Sequence, residues 1–151
     1  MNKKILLLYI YLFVITSIIT SFPQDSDIQI GWGKLTVIIN GFDNAEGNCR
    51  FGIDDSKKVF EREDSVWIGK VLPINNKEVI VVIDSLAFGE YAIRVFHDKN
   101  ENMIIDTNIL GIPTEDYGYS NDASGWFGPP SWEKAKFIFN KPEMIIYIKI
   151  D

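Results

Sequence analysis

The sequence predicts an all-β domain, an antiparallel β-sandwich of about seven strands carrying one long aromatic loop insert. Three observations support this. Short runs of alternating or β-branched residues recur after residue 33, separated by Gly, Asn and Asp turn signals. No amphipathic helix of ordinary length follows residue 22. Once the N-terminal segment is set aside, roughly 130 residues remain, enough for one core and too few for two ordinary domains.

Met1-Asn2-Lys3-Lys4 precedes an uncharged apolar run from Ile5 to Ile19, closed by Thr20 and Ser21, which reads as a secretory signal peptide over residues 1–21. The alternative is a retained anchor, for which the run is marginal against a bilayer core of ~30 Å. Residues 22–32 then form a short linker and residues 33–151 the domain, exported to the periplasm, the cell surface or the medium. Cleavage removes Lys3 and Lys4, so the net charge moves from −6 to −8. Such an acidic surface repels phosphate backbones, which argues against nucleic acid and leaves membrane contact to an uncleaved N-terminal segment. Cys49 is the only cysteine, so no internal disulfide forms, and its alternating surroundings read as a buried strand.

The strands follow in order. Leu35 to Asn40 alternates and ends at Gly41; Cys49 to Asp54 is the second. A charged connection over residues 55–64 carries Val59-Phe60, and Val66-Trp67-Ile68 closes at Gly69. Val79 to Ile83 is β-branched throughout and reads as a buried strand. Gly89 reads as a turn before Tyr91, Ile93 and Val95 alternate with Ala92, Arg94 and Phe96. Residues 135–139 and 144–150 supply the last two. Between them, residues 107–131 show little alternation but hold four glycines and three prolines, with Tyr117, Tyr119, Trp126 and Phe127 inside and Trp132 just beyond. A connection this long is usually functional, and its aromatics argue against disorder.

Directly after the fifth strand, oxygen-bearing side chains stand at every second position. Asp98, Asn100, Asn102 and Asp106 occupy the first, third, fifth and ninth places of a calcium-type loop, with the Ile104 carbonyl at the seventh. Met103 replaces the glycine of the sixth place and Ile109 the glutamate of the twelfth. Those losses predict a calcium affinity of only ~0.1 to 1 mM. The competing reading is a tight turn in which the Asp and Asn side chains satisfy backbone groups.

Three segments carry a family resemblance: Gly89-Glu90-Tyr91-Ala92-Ile93; His97-Asp98-Lys99-Asn100-Glu101-Asn102 with Asp106-Thr107-Asn108; and Leu110-Gly111-Ile112-Pro113, Tyr117-Gly118-Tyr119-Ser120-Asn121 and Phe127-Gly128-Pro129-Pro130-Ser131. Over roughly residues 33–151 the chain resembles the exported bacterial family DUF2141, which has no established activity to carry over. More loosely, the Gly-x-Tyr strand and its Asp/Asn loop are similar to Cna-B and prealbumin-like modules, an immunoglobulin-like sandwich class in which some members bind calcium.

Chemistry is weakly signalled. His97 is the only histidine, no Gly-x-Ser-x-Gly elbow occurs, and a hydrogen-bonded strand-end histidine is the favoured reading. Asp98, Asp106, Glu115, Asp116 and Asp122 could pair as hydrolytic carboxylates, and a hydrolase is the runner-up, with a purely structural envelope protein as the further alternative. The favoured function is a non-catalytic module binding an envelope protein or glycan. Its contact residues would be Tyr117, Tyr119, Asn121, Trp126, Phe127 and Trp132, of which about half are expected to turn inward, with Tyr119 and Trp126 facing out.

Overall fold

Alternation becomes architecture along β1 (Trp32–Asn40), where Leu35, Val37 and Ile39 are fully buried and the residues between them are not. The computed structural model describes residues 31–62, 66–126 and 128–151. The expected signal peptide, nearly all of the linker, and Phe127 lie outside the described residues. The remaining elements are β2 (Asn48–Asp54), α1 (Lys57–Phe60), β3 (Ile68–Pro73), β4 (Glu78–Ala87), β5 (Gly89–Asp98), β6 (Tyr117–Tyr119), α2 (Trp132–Ala135), β7 (Phe137–Phe139) and β8 (Glu143–Lys149).

The strands form two sheets. One has the order β4-β1-β8; the other runs β3-β2-β5, with β6 and β7 pairing in succession along the remaining edge of β5. The expected all-β sandwich is thus present, with eight strands among the described residues. One pair departs from the antiparallel pattern: β8 lies parallel to β1, Leu35 opposite Met144 and Ile39 opposite Ile148. After β7 the chain crosses to the other sheet and fills the open edge of β1 from the same end.

Inward residues of both sheets meet in one core of Leu35, Val37, Ile39, Cys49, Phe51, Ile53, Val81, Ile93, Val95, Phe139 and Ile148, among others. Its aliphatic side chains are each worth about 1.5–3 kcal/mol of burial. Cys49 belongs to this core, and burial pushes its thiol up to about 12. On the three-stranded sheet, Ile80, Val82, Ile145 and Tyr147 face outward and stay exposed.

Several boundaries differ from expectation. Gly69 does not end β3 but lies within it opposite Gly52; a Cβ on Gly69 would meet Val66 Cγ2 at 3.0 Å, and one on Gly52 would meet Val66 Cγ1 at 2.6 Å. Gly89 opens β5 rather than turning the chain. The insert is not free of regular structure, because β6 pairs through Tyr117, Gly118 and Tyr119 with Phe96, Val95 and Arg94. Ala135, expected to start a strand, instead ends α2, and β7 begins at Phe137.

Outward residues of β5 and β2 build what positions the loops. Arg94 donates through Nε at 2.9 Å and Nη2 at 2.7 Å to Asp54 Oδ2. Burial pushes the Asp54 carboxyl up, while the Arg94 guanidinium and the Trp67 N–H pull it down. Beside this pair, Phe60 of α1, Ala92, and Trp132 and Ala135 of α2 form a second small core, with Tyr119 packed against it. The Arg94 guanidinium stands 5.3 Å from the centre of the Phe60 ring.

Candidate binding site at the loop end

The site begins where β5 runs out. Asp98, in register with Asn48 of β2, is fully buried. Its Oδ1 accepts the Asn102 N–H at 3.0 Å; its Oδ2 accepts the Met103 N–H at 3.0 Å and Arg50 Nε at 2.7 Å. Asn100 Oδ1 accepts the Asn102 N–H at 3.1 Å, and Asn102 Oδ1 accepts the Ile104 N–H at 2.9 Å. The other end of each amide donates to Asp106, Asn100 to Oδ2 at 2.7 Å and Asn102 to Oδ1 at 2.9 Å. Glu115 closes the base, taking the Lys99 N–H at 2.8 Å and the Asp106 N–H at 3.0 Å.

Sequence spacing therefore brings Asp98, Asn100, Asn102 and Asp106 together, and the structure uses them as a latch. Both amides are oriented from two sides at once, so an ion drawing on the Asn100 and Asn102 oxygens competes with the turn bonds those oxygens already make. Ile104 gives the latch its N–H, and its side chain is exposed. Among the described residues, no group of three or more His, Cys, Asp and Glu side chains stands close enough to hold a metal. Glu101 and Met103 take left-handed backbone angles, φ 61° and 75°. Met103 thus keeps the turn a glycine would make easily, at a steric cost of about 1–2 kcal/mol.

His97, fully buried, faces the other way from Asp98. Its Nε2 lies 2.7 Å from the Glu46 carbonyl, which places the proton on Nε2. Its Nδ1, with no hydrogen bond among the described residues, sits 3.8 Å from Asp116 Oδ2. The strand-end histidine is thus satisfied on one nitrogen. Asp116 also meets the Lys99 ammonium at 3.1 Å, and Lys99 reaches Asp43 at 3.2 Å. Burial pulls the Lys99 ammonium down, but these two carboxylates hold it above its ordinary value.

The predicted contact residues separate in space. Trp132 is 5% exposed and rests edge-on to Phe60 at 5.8 Å, which removes it from any contact surface. Tyr119, expected to face out, is half-buried and packs edge-on to the same ring at 6.0 Å. Tyr117 is half-buried beside it. Asn121, with φ 61°, turns its amide onto the carbonyls of Lys134, Ala135 and Lys136 and so fastens the end of α2. Ser120, fully buried, accepts the Ile93 N–H at 2.9 Å and donates to the Ala135 carbonyl at 2.6 Å. Trp126 faces solvent as expected.

Residues 37–146 match the family described as "Uncharacterized protein conserved in bacteria (DUF2141)". The chain belongs to the DUF2141 family. No curated protein and no solved structure matches, and the likeness to Cna-B and prealbumin-like modules is not shown. In this DUF2141 chain the second resembling segment is the latch, and the third supplies β6 and its anchoring turn.

Sequence reasoning missed three features of the DUF2141 loop end. The Arg50 and Arg94 pairs are invisible because their partners lie 48 and 40 residues away. Glu115 was weighed only as a catalytic carboxylate. The third is an aliphatic tip, where Met103, Ile104, Ile109, Leu110 and Ile112 all stand exposed. Its signal was present as Asn108-Ile-Leu-Gly-Ile-Pro113, an apolar stretch with turn residues inside it.

Proposed function

We propose that this protein is an exported, non-catalytic β-sandwich module of the bacterial envelope, and that it engages its partner with the loop end beyond β5. The observation carrying the reading is the tip at residues 103–112, which holds five large aliphatic side chains in solvent on a loop fixed by side-chain hydrogen bonds. Large apolar side chains exposed on one ordered loop point to an interaction site, and order lowers the entropy lost on binding. The contact thus shifts from the aromatic platform expected from sequence to aliphatic residues, with Trp126 as the nearest exposed aromatic in sequence. Aliphatic tips suit apolar partners better than sugar rings, which stack on aromatic faces.

A non-catalytic role is supported by the carboxylates themselves. Asp98, Asp106 and Glu115 each accept two or more hydrogen bonds from the loop, so each is used to hold it. A hollow of about 470 Å³ beside the β3–β4 turn is lined by Leu72, Pro73, Val79 and Ile80 with Glu78, and none of the loop carboxylates reaches it. Calcium takes a subordinate place in this reading, as a weak brace for the 98–106 loop.

The test is position-specific photocrosslinking in intact envelopes. A diazirine amino acid at Leu110 is expected to form a covalent adduct, with lipid or with protein, that the same group at exposed Lys58 of α1 does not form. Equal adducts at both positions, or none at Leu110, would overturn the reading.

A further inference from the structure

Resting on that binding reading, we infer that the aliphatic tip inserts into the apolar layer of an electrically neutral lipid surface. Where the sequence assigns membrane contact only to the N-terminal segment, the exposed loop beyond β5 offers a second point.

Charge is the first argument. Residues 107–114 carry none, and no Lys or Arg occurs between Asn100 and Glu133. The flanking carboxylates, Asp106 and Glu115, are held by internal donors. Backbone satisfaction is the second, because a peptide N–H entering hydrocarbon must bring its acceptor with it. The tip does this. Asn108 Oδ1 accepts the N–H groups of Leu110 at 2.9 Å and Ile112 at 3.1 Å. The Asn108 N–H donates to the Ile112 carbonyl, the Gly111 N–H to the Asn108 carbonyl and the Thr114 N–H to the Asp106 carbonyl; Pro113 has no N–H. Gly111, at φ 77°, supplies the left-handed turn that closes this ring.

Shape and chemistry are the third. Ile109 is as exposed as a free side chain, at 101%, and Leu110 follows at 77%. The large side chains the tip exposes are aliphatic apart from the Met103 thioether. The tip offers no Trp, Tyr or Arg anchor; of its polar side chains, Asn108 is spent on the tip's own backbone and Asp106 on the Asn100 and Asn102 amides, which leaves the Thr107 hydroxyl. Nothing there reads a specific protein groove, whereas a fluid apolar phase requires only such a surface. With the chain acidic and the tip devoid of basic residues, anionic headgroups add no attraction.

The experiment uses the full chain. An environment-sensitive nitrobenzoxadiazole dye is attached at Leu110→Cys, and separately at Lys58→Cys, since native Cys49 is buried and stays unlabelled. Phosphatidylcholine vesicles should brighten the dye at position 110 several-fold, and spin-labelled acyl chains should quench it, with no change at position 58. Adding Ile109→Asp and Ile112→Asp should cut the response on the order of tenfold or more. Anionic phosphatidylglycerol in the vesicles should leave it equal or weaker, and salt should not diminish it. Silence at position 110, equal brightening at both positions, or a strict need for anionic lipid would overturn the inference. Should the dye stay silent while the Leu110 photocrosslink forms on a protein, the binding reading stands and the tip belongs to an apolar protein groove.

Discussion

Replacing Asp98 by alanine tests whether the loop is a latch, because its buried carboxylate holds two backbone N–H groups and the Arg50 guanidinium at once. The Arg50 side chain is only 15% exposed, so the substitution strands a mostly buried charge. Breaking such a pair costs about 3–5 kcal/mol, and the freed N–H groups keep the figure in the upper half of that range unless water reaches them. Asp98→Asn keeps the shape and one acceptor and should cost about 1.5–3 kcal/mol. Urea unfolding followed by tryptophan fluorescence would measure both, with an unchanged slope. Hydrogen exchange at the Asn102 and Met103 amides should accelerate in the alanine variant. Adding Arg50→Met should recover much of the loss, since removing both charges costs less than orphaning one. A cost below about 1 kcal/mol for Asp98→Ala, or unchanged exchange at those two amides, would refute the latch.

Three further outcomes are expected. Met103→Gly should stabilise the domain by about 0.5–1 kcal/mol in urea unfolding, because relief of the left-handed backbone outweighs the entropy glycine adds to the unfolded chain; destabilisation would show that the Met103 side chain contributes packing. For Cys49 the folded thiol is raised to about 12 from 9.0, so its contribution to stability is intact below pH 9.0 and is lost as pH rises through that window. Wild type should therefore lose about 1.4 kcal/mol per pH unit relative to Cys49→Ala between these values, and parallel stability curves would contradict the burial argument. Calcium should act only in the millimolar range: at a dissociation constant of ~1 mM, about 10 mM calcium adds at most ~1.4 kcal/mol, and less if the Asn100 and Asn102 amides must turn. Thermal unfolding with and without the ion, in wild type and Asp106→Ala, checks this; saturation at micromolar calcium would contradict a self-closed loop.

The strands legible in the sequence were those whose pattern is local. Leu35-Val37-Ile39 and Tyr91-Ile93-Val95 alternate because one face of each strand meets the core, and Val79 to Ile83 declares itself by β-branching. β3 was misplaced because its glycine serves a neighbour, making room for Val66, and only the pairing with Gly52 reveals that. β6 is three residues long and exists because β5 offers an edge, a tertiary cause. At the loop, spacing identified the right side chains but not their use, since the same Asp and Asn pattern serves a cation or a turn. Tyr119 and Trp132 turned inward because α1 and α2 bring Phe60 and Ala135 to the outer face of β5. The exposed tip was missed for a general reason: an aliphatic run is read as buried unless structure shows otherwise.

Two apolar surfaces compete as the contact, the tip around Leu110 and the outer sheet face that includes Tyr147. The most direct test of the central claim compares photocrosslinking from these two positions in the same envelopes. The account predicts that Leu110 yields the adduct, that Tyr147 does not, and that Asp98→Ala weakens the Leu110 adduct by loosening the latch. An adduct from Tyr147 with none from Leu110 would contradict it and move the binding surface to the three-stranded sheet.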